Sequence, residues 1–404
     1  MTTISPHRSL TRGVPALLAA SVLALGLAGC ATADPDADAT TPEAPAAAPA
    51  LTVVASTTHT AEFTQRVAGE LAEVTALIQA NQSTHSFDPT AADLAALAGA
   101  DVLVINGAGL EEWLDDAVEA SGFAGTTVDA STRVGLIEFA GDHDHGHGHD
   151  DHGHDDHDHD HDHDHDHGHD DHGHDDHDHD HGHDHDHDHA HEGDDHAHDE
   201  DDHGHDDHGH SHDGDDPHIW TSAANAAAMV EAIAEGLAAA DADNAEVYET
   251  NAAAYIEQLE QLDAWIVESI SAVDAADRLL VTNHEAFGYF VDAYDVTYVG
   301  AIIPSFDDNA EVSAADIDRL VASIRESGAT TVFSETTLSP AAAETIASEA
   351  GIQVLSGDQG LYGDSLGPAG SPGETYIGSM IHNVTVLVTA WGAEPAPVPA
   401  ALAE

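Results

Sequence analysis

Runs of apolar residues alternate with segments of helical spacing along residues 51–140, the first of two blocks that can build a core. The clearest strand is DVLVIN at 101–106, an unbroken apolar run typical of a buried parallel strand. Helical spacing is evident where Leu94, Leu97 and Ala98 recur three and four positions apart. The block predicts strands at 51–56, 74–79, 101–106 and 126–129, and helices at 60–69, 90–98 and 110–120.

The second block, 217–404, repeats this alternation and adds capping signals. Ser313 with Asp316 has the spacing of a capping box, and Ser339 followed by Pro340 is typical of a helix start. The block predicts strands at 279–282, 297–303, 330–334 and 352–355, and helices at 285–293, 313–327, 340–350 and 376–391. Alternating strands and helices predict an α/β fold class, in which mainly parallel sheets are flanked by helices.

One helix is predicted to be much longer than the others. Residues 244–271 contain neither Gly nor Pro, and their apolar residues recur at spacings of three and four. At ~1.5 Å per residue the helix spans roughly 40 Å, which suits a rigid connection between two lobes. We therefore predict an N-terminal lobe at 51–140 completed by 217–243, a linking helix at 244–272, a C-terminal lobe at 273–393 and a tail at 394–404.

The N-terminus has the pattern of an export signal. His7, Arg8 and Arg12 precede an apolar run that is too short for a comfortable membrane span. The run ends in LAGC, which resembles the lipobox of bacterial lipoproteins, so 1–30 is predicted to be a signal peptide and Cys30 the lipidated residue. An ordinary cleaved secretory signal is the alternative. We expect an exported protein attached to the outer face of the cell membrane through the lipid alone, with 31–50 a disordered linker.

The charge of the chain is strongly one-sided. It has 78 acidic residues against 7 basic ones, a formal net charge of −71 with neutral histidines. This balance argues against nucleic acid and anionic membrane surfaces as partners, and it suits a cation.

Much of this charge lies in a tract at 141–216. The tract consists almost wholly of His, Asp and Gly, holds 30 of the 36 histidines, and lacks the apolar residues needed for a core. We predict a disordered loop that collects metal ions, since imidazole suits zinc, copper and nickel. A solvated low-complexity expansion without a selected role is the alternative.

Outside the tract, three histidines and one aspartate follow or precede predicted elements in the manner of site residues. His85, His218 and His284 lie in such loops or at strand ends, and Asp358 follows the strand at 352–355. In open α/β sheets, ligands collect beyond the carboxyl ends of the strands. Three neutral imidazoles and one carboxylate form a tetrahedral set suited to zinc. Each histidine alone also fits an ordinary loop role.

Five segments then carry a family resemblance, and they read STHSFDPTAADLAALAGADVLVINGAGLEEWL, DPHIW, TNHEAFGYF, FSETTLSPAAAETIASEAG and GPAGSPGETYIGSMIHNV. In residues and order they are similar to the metal-binding subunits of zinc and manganese ABC importers, the cluster A-I solute-binding proteins. The resemblance covers nearly all of 51–393. It implies two α/β lobes with a metal between them, and it places His85, His218, His284 and Asp358 on the ligand positions.

The resemblance also bears on the metal and on the partner. Manganese members tend to carry Glu at the third ligand position, whereas His284 favours zinc here. Manganese remains possible, because some members with three His and one Asp take both metals. The family implies delivery of the ion to a cognate ABC permease in the membrane, and we expect the binding protein to be a monomer.

Several other residues are given ordinary roles. Glu335 is expected to be structural or to orient a histidine, with ligation less favoured. His59 is expected in a loop or at a helix start, although a ligand role near the entrance is an alternative, and His382 is expected to pack or face solvent. The aromatic residues expected in the core are Trp220, Tyr376 and Phe287.

The sequence therefore predicts a zinc-binding lipoprotein of a metal importer and not an enzyme. Four protein ligands would close the site, whereas catalytic zinc keeps an open position, and no HExxH segment is present. Two alternatives stay open: a protein for manganese or both metals, and a surface metal buffer or adhesin without a transport role.

Overall fold

The N-terminal lobe is built on a four-stranded sheet in which every neighbouring pair is parallel, in the order β2-β1-β3-β4. The computed structural model of the chain describes residues 51–137, 214–306, 308 and 310–403. The predicted signal peptide with Cys30, the linker at 31–50 and residues 138–213, which include 141–213 of the tract, lie outside this part. The strands are β1 Leu51–Ala55, β2 Ala72–Ala76, β3 Val102–Ile105 and β4 Thr126–Asp129.

Helices cover both faces of this sheet because side chains alternate along each strand. Val53 and Ala55 of β1 belong to the core formed with α1 and α4, whereas Val54 packs with residues of α2 and α3. The helices are α1 Thr58–Ala68, α2 Ala91–Ala98, α3 Leu114–Ser121 and α4 Ala223–Ala240. Helix α1 begins two residues before the predicted start because Thr57 caps it, and α4 was not predicted as a helix.

The long helix α5, Ala245–Ser271, follows the predicted bounds within one residue and contains 27 residues. One side of it is buried in the main core, including Tyr248, Leu259, Leu262 and Ile266. The same core includes residues of α1, α4, α6 and α9. The helix therefore packs against both halves of the chain, as expected for a connection between lobes.

The C-terminal lobe contains two parallel strand pairs, β5 with β6 and β7 with β8. Between them, the Glu335 backbone N–H after β7 donates to the Asn283 side chain of β5 at 3.0 Å. The capping box of Ser313 and Asp316 is present at the start of α7. The elements are β5 Leu279–His284, α6 Gly288–Tyr294, β6 Thr297–Ile303, α7 Ala314–Ser327, β7 Thr331–Phe333, α8 Ala341–Ala350, β8 Gln353–Leu355 and α9 Tyr376–Ala390.

The predicted α/β fold class with parallel sheets, flanking helices and a long linking helix is confirmed. In the described part of the chain, no helix combines the length and the apolar composition needed to cross a membrane. Strands β5 and β7 end where the two lobes meet, so the residues at and just after their carboxyl ends lie at this junction.

Candidate metal centre

Three histidines and one aspartate meet in a buried group: His85, His218, His284 and Asp364. His85 lies in the loop between β2 and α2, and His218 immediately precedes the 3₁₀ turn Ile219–Thr221. His284 is the last residue of β5. The N-terminal half thus supplies two of the four side chains and the C-terminal half supplies the other two.

The four side chains are spaced as ligands of one ion. The Nε2 atoms of His85 and His218 are 3.1 Å apart, and Oδ1 of Asp364 lies 3.1 Å from Nε2 of His284 and 3.6 Å from Nε2 of His218. All four potential ligand atoms lie within 4.8 Å of one another. Ligands at zinc–nitrogen distances of ~2.05 Å in a tetrahedron would be about 3.3 Å apart, so the group fits an ion of that size.

The carboxylate prediction is corrected by this geometry, because Asp364 and not Asp358 joins the three histidines. Asp358 lies exposed in the 3₁₀ turn Gly357–Gln359 that follows β8. Beyond this turn the chain returns to the sheet, where Leu361 forms a parallel bridge with Glu335. The last residue to pair in this part of the sheet is therefore Leu361 and not Leu355. Asp364 lies three positions after Leu361, and Asp358 lies three positions after Leu355.

A carboxylate orients His218 by contacting Nδ1, the ring nitrogen that is not directed at the other ligands. Oδ1 of the buried Asp216 accepts hydrogen bonds from Nδ1 of His218 at 2.8 Å and from its backbone N–H at 2.9 Å. A proton held on Nδ1 leaves Nε2 with a free lone pair toward the other ligands. Asp216 was assigned to the disordered tract, and this assignment is wrong for its last residues, since Asp216 is buried and bonded in the described part.

His284 has an equivalent partner in Glu335. Oε1 of Glu335 accepts from Nδ1 of His284 at 2.8 Å and from its backbone N–H at 3.1 Å. Both side chains are fully buried. This is the orienting contact considered for Glu335 from the sequence, and Glu335 is not in the four-residue group.

The centre attracts positive charge. Burial favours the neutral form of Asp364, but His284 beside it outweighs that effect and holds the pKa of this carboxyl well below its usual range. Burial likewise disfavours a charged His284, yet Glu335 and Asp364 outweigh it and raise the pKa of this histidine well above its ordinary value. Three buried carboxylates, Asp216, Glu335 and Asp364, surround three imidazoles, so a divalent cation would offset most of their charge.

His85 differs from the other three in its access to solvent. Its side chain is 9 % exposed, whereas the side chains of His218, His284 and Asp364 are 0 % exposed. The loop that carries it is held where Nε1 of Trp113 donates to the Thr84 carbonyl at 3.2 Å. His85 is therefore the one member of the group whose side chain reaches solvent.

The loop that carries Asp364 is anchored from two directions. From α9, the Asn383 side chain accepts from the Tyr362 backbone N–H at 2.9 Å and donates to its carbonyl at 2.8 Å. From the other lobe, Nε1 of Trp220 donates to the Gly363 carbonyl at 3.1 Å. Sequence reasoning missed Asn383 entirely, whereas Asp216 was visible as the acidic residue two positions before His218.

The two remaining described histidines are not in the group. His59 is buried in the first turn of α1, where its ring stacks on Trp220 at 4.8 Å between centroids, and burial lowers its pKa to about 3. His382 of α9 is half-buried and bonds the Gly360 carbonyl through Nε2 at 2.9 Å. His59 therefore has the helix-start role expected for it, and His382 has the packing role.

Fold and site together define a two-lobed α/β protein with a buried three-histidine, one-aspartate centre suited to a divalent metal ion. The class can be made more specific by comparison with known sequences. The chain belongs to the family described as zinc-uptake complex component A, periplasmic, whose family model matches residues 53–390. This is a family of metal-transport binding proteins and not of enzymes, and the resemblance found in the sequence is confirmed.

Individual relatives differ in the metal they are named for. The manganese-binding lipoprotein MntA of Halalkalibacterium halodurans is 26 % identical over 339 residues, 84 % of this chain and 88 % of MntA. The zinc-binding lipoprotein AdcA of Streptococcus pneumoniae is 28 % identical over 81 % of this chain, which spans 53 % of AdcA. The solved periplasmic zinc-binding protein TroA of Treponema pallidum superposes with a TM-score of 0.62 at 20 % identity, over 84 % of this chain and 99 % of TroA, and supports the fold.

Proposed function

We propose that the chain is the extracytoplasmic binding protein of a metal ABC importer, and that it binds zinc between its lobes and delivers the ion to the permease. The observation that carries the proposal is the buried group of His85, His218, His284 and Asp364. Two lobes contribute to it, so separation of the lobes would divide the ligand set and release the ion. Family membership supports the role in uptake.

Zinc is preferred over manganese for chemical reasons. Three imidazoles and a single carboxylate form a nitrogen-rich set, and the affinity of such sets for zinc exceeds their affinity for manganese. Two of the imidazoles are also fixed by Asp216 and Glu335, each at 2.8 Å, which favours one geometry. Direct competition between the two ions tests this preference, and tighter binding of manganese would make the chain a manganese protein instead.

The ligand assignment has a matched pair of test variants. Asp364→Ala removes the buried carboxylate and should weaken zinc binding by more than about 100-fold, since a ligand should matter at least as much as the groups that orient ligands. Asp358→Ala changes an exposed aspartate of the same loop region and should leave the affinity unchanged. The measurement is zinc competition against a strong chelator. The chelator removes zinc from the weaker imidazole sites of the tract, so the assay reports the tight site alone. The reverse result would restore Asp358 as the ligand.

Delivery to a permease is tested in cells. Deletion of the gene should reduce zinc uptake in metal-poor medium, and the Asp364→Ala chain should fail to restore it. Unchanged uptake after deletion would favour a surface metal buffer that has no transport role. For such a protein, the lipid anchor predicted at Cys30 would hold the buffer at the membrane.

A further inference from the structure

A tryptophan joins the two chain segments that carry His218 and Asp364. Trp220 lies two residues after His218, and its Nε1 donates to the carbonyl of Gly363, the residue before Asp364, at 3.1 Å. The indole also meets the His218 ring edge-on at 5.4 Å between centroids. We propose that Trp220 is a positioning residue that fixes Asp364 relative to His218, an inference that rests on the proposed function.

The indole is held firmly enough to act in this way. It is 2 % exposed, and it stacks on His59 at 4.8 Å with an angle of 22° between the ring planes. The Trp220 carbonyl accepts from the hydroxyl of Tyr376 at 2.6 Å, so the backbone is fixed as well. The His59 ring is itself 2 % exposed, so it forms a fixed surface beneath the indole.

Gly363 is equally constrained on the other side of the bond. It is buried, and a Cβ at this position would overlap Oε2 of Glu335, the carboxylate that orients His284. Asn383 holds the preceding residue, Tyr362, through α9 of the same lobe. The bond from Trp220 therefore ties the loop to the opposite lobe just before Asp364. Just after Asp364, the hydroxyl of Ser365 accepts from the Asn81 backbone N–H and the Leu366 backbone N–H donates to the Thr58 hydroxyl, each at 2.9 Å.

This arrangement predicts a kinetic role. When the lobes separate, the bond between Trp220 and Gly363 must break together with the metal bonds of Asp364. Without it, the opposite lobe holds the loop only on the side after Asp364, and the Gly363 carbonyl loses its buried partner. The Trp220→Phe variant should still bind one zinc ion tightly, but the ion should dissociate about tenfold faster, the low end of effects seen when groups that orient ligands are removed.

Trp265→Phe is a matched control. Trp265 is also 2 % exposed, and its Nε1 donates to the Ala396 carbonyl at 3.0 Å. This bond links α5 to the C-terminal tail, away from the metal centre. Both variants lose one buried indole bond to a carbonyl. Chelator-triggered zinc release from the full chain should be faster in Trp220→Phe and unchanged in Trp265→Phe. Equal rates in the two variants would overturn the proposal.

A double-mutant comparison separates positioning from general destabilisation. Because Trp220 acts through Asp364, Trp220→Phe should speed zinc release about tenfold in the wild-type background but not further in an Asp364→Ala background. The same fold-change in both backgrounds would overturn the proposal. If Trp220→Phe does not fold, His59→Ala should speed release by loosening the indole, and unchanged release would overturn it. A wild-type chain without any chelator-resistant zinc would refute the proposed function instead.

Discussion

Glu335 contributes to the metal centre through His284, which it contacts by both side chain and backbone. Glu335→Gln keeps the size of the side chain but removes its charge and one acceptor. We expect zinc affinity to fall by about 10- to 100-fold, with the fold intact by circular dichroism. Glu62→Gln is the control, since Glu62 is a half-buried carboxylate that accepts from the Tyr376 backbone at 2.5 Å and pairs with Arg66, and its described bonds include no histidine. Equal losses in the two variants would contradict the orienting role.

His59 makes the metal-free protein sensitive to acid. Burial lowers its pKa to about 3 from an ordinary value of 6.5, so the unfolded chain takes up a proton that the folded chain refuses. Its contribution to stability is complete above pH 6.5 and is lost as the pH falls toward 3, by about 2 kcal/mol at pH 5.

The variant that tests this is His59→Phe, which keeps a ring against Trp220. Between pH 7.5 and pH 5.0, the wild type should lose about 2 kcal/mol more unfolding free energy than the variant, measured by denaturant titration with metal removed. Other titrating groups cancel in this difference. An identical pH dependence in both proteins would show that folding does not lower the pKa of His59.

At the residue scale, the sequence predicted the three histidines that meet and missed the aspartate that joins them. His284 follows the predicted strand at 279–282 by two residues and ends the observed strand β5, so its place at the sheet edge was expected. Asp358 and Asp364 both follow an apolar residue by three positions, and only the bridge at Leu361 distinguishes them. That bridge depends on tertiary pairing, which is not visible along the chain.

At the scale of elements, α4 approaches β4 closely enough to require a glycine. A Cβ on Gly236 would overlap the methyl groups of Val128, which is buried in the main core. Gly236→Ala should therefore destabilise the protein by about 1 kcal/mol, because overpacking outweighs the gain in helix propensity.

The same contact allows a rescue experiment. With Val128→Ala already present, the space is open, and Gly236→Ala should become stabilising by up to about 1 kcal/mol. Denaturant midpoints of the four combinations measure the change of sign. A stabilising Gly236→Ala in the wild-type background would show that the two elements can move apart at little cost.

Helix α7 was predicted from a start signal and helix α5 from its apolar spacing alone, whereas helix α4 was not predicted. Helix α7 begins after the capping box at Ser313 as expected. Helix α4 is rich in alanine, so its apolar residues show no clear helical spacing that separates a buried face from an exposed one. The division of the second lobe into two strand pairs also depends on tertiary contacts, with Asn283 between them, that local sequence does not encode.

At the scale of the whole molecule, the position of the tract's ends determines how it can be removed. The Asp216 backbone N–H donates to the Ile137 carbonyl at 2.9 Å, and the hydroxyl of Tyr289 donates to the Asp216 carbonyl at 2.9 Å. Deletion of 141–213 should therefore preserve tight binding of one zinc ion. Deletion of 141–216 should weaken it by about tenfold, because His218 loses Asp216. Zinc competition assays compare the two, and equal affinities would mean that Asp216 does not orient His218.

The bond between Ile137 and Asp216 also has an evolutionary consequence. The fold fixes where the inserted segment leaves and returns, but places no demand on its number of residues. Even for a loop without structure of its own, doubling the length costs only about 0.6 kcal/mol in closure entropy. Gains and losses of His-Asp repeats during replication would thus be nearly neutral for folding. A change in repeat number would then alter how many imidazoles the predicted loop offers to metal ions, while the fold of the tight site stays the same.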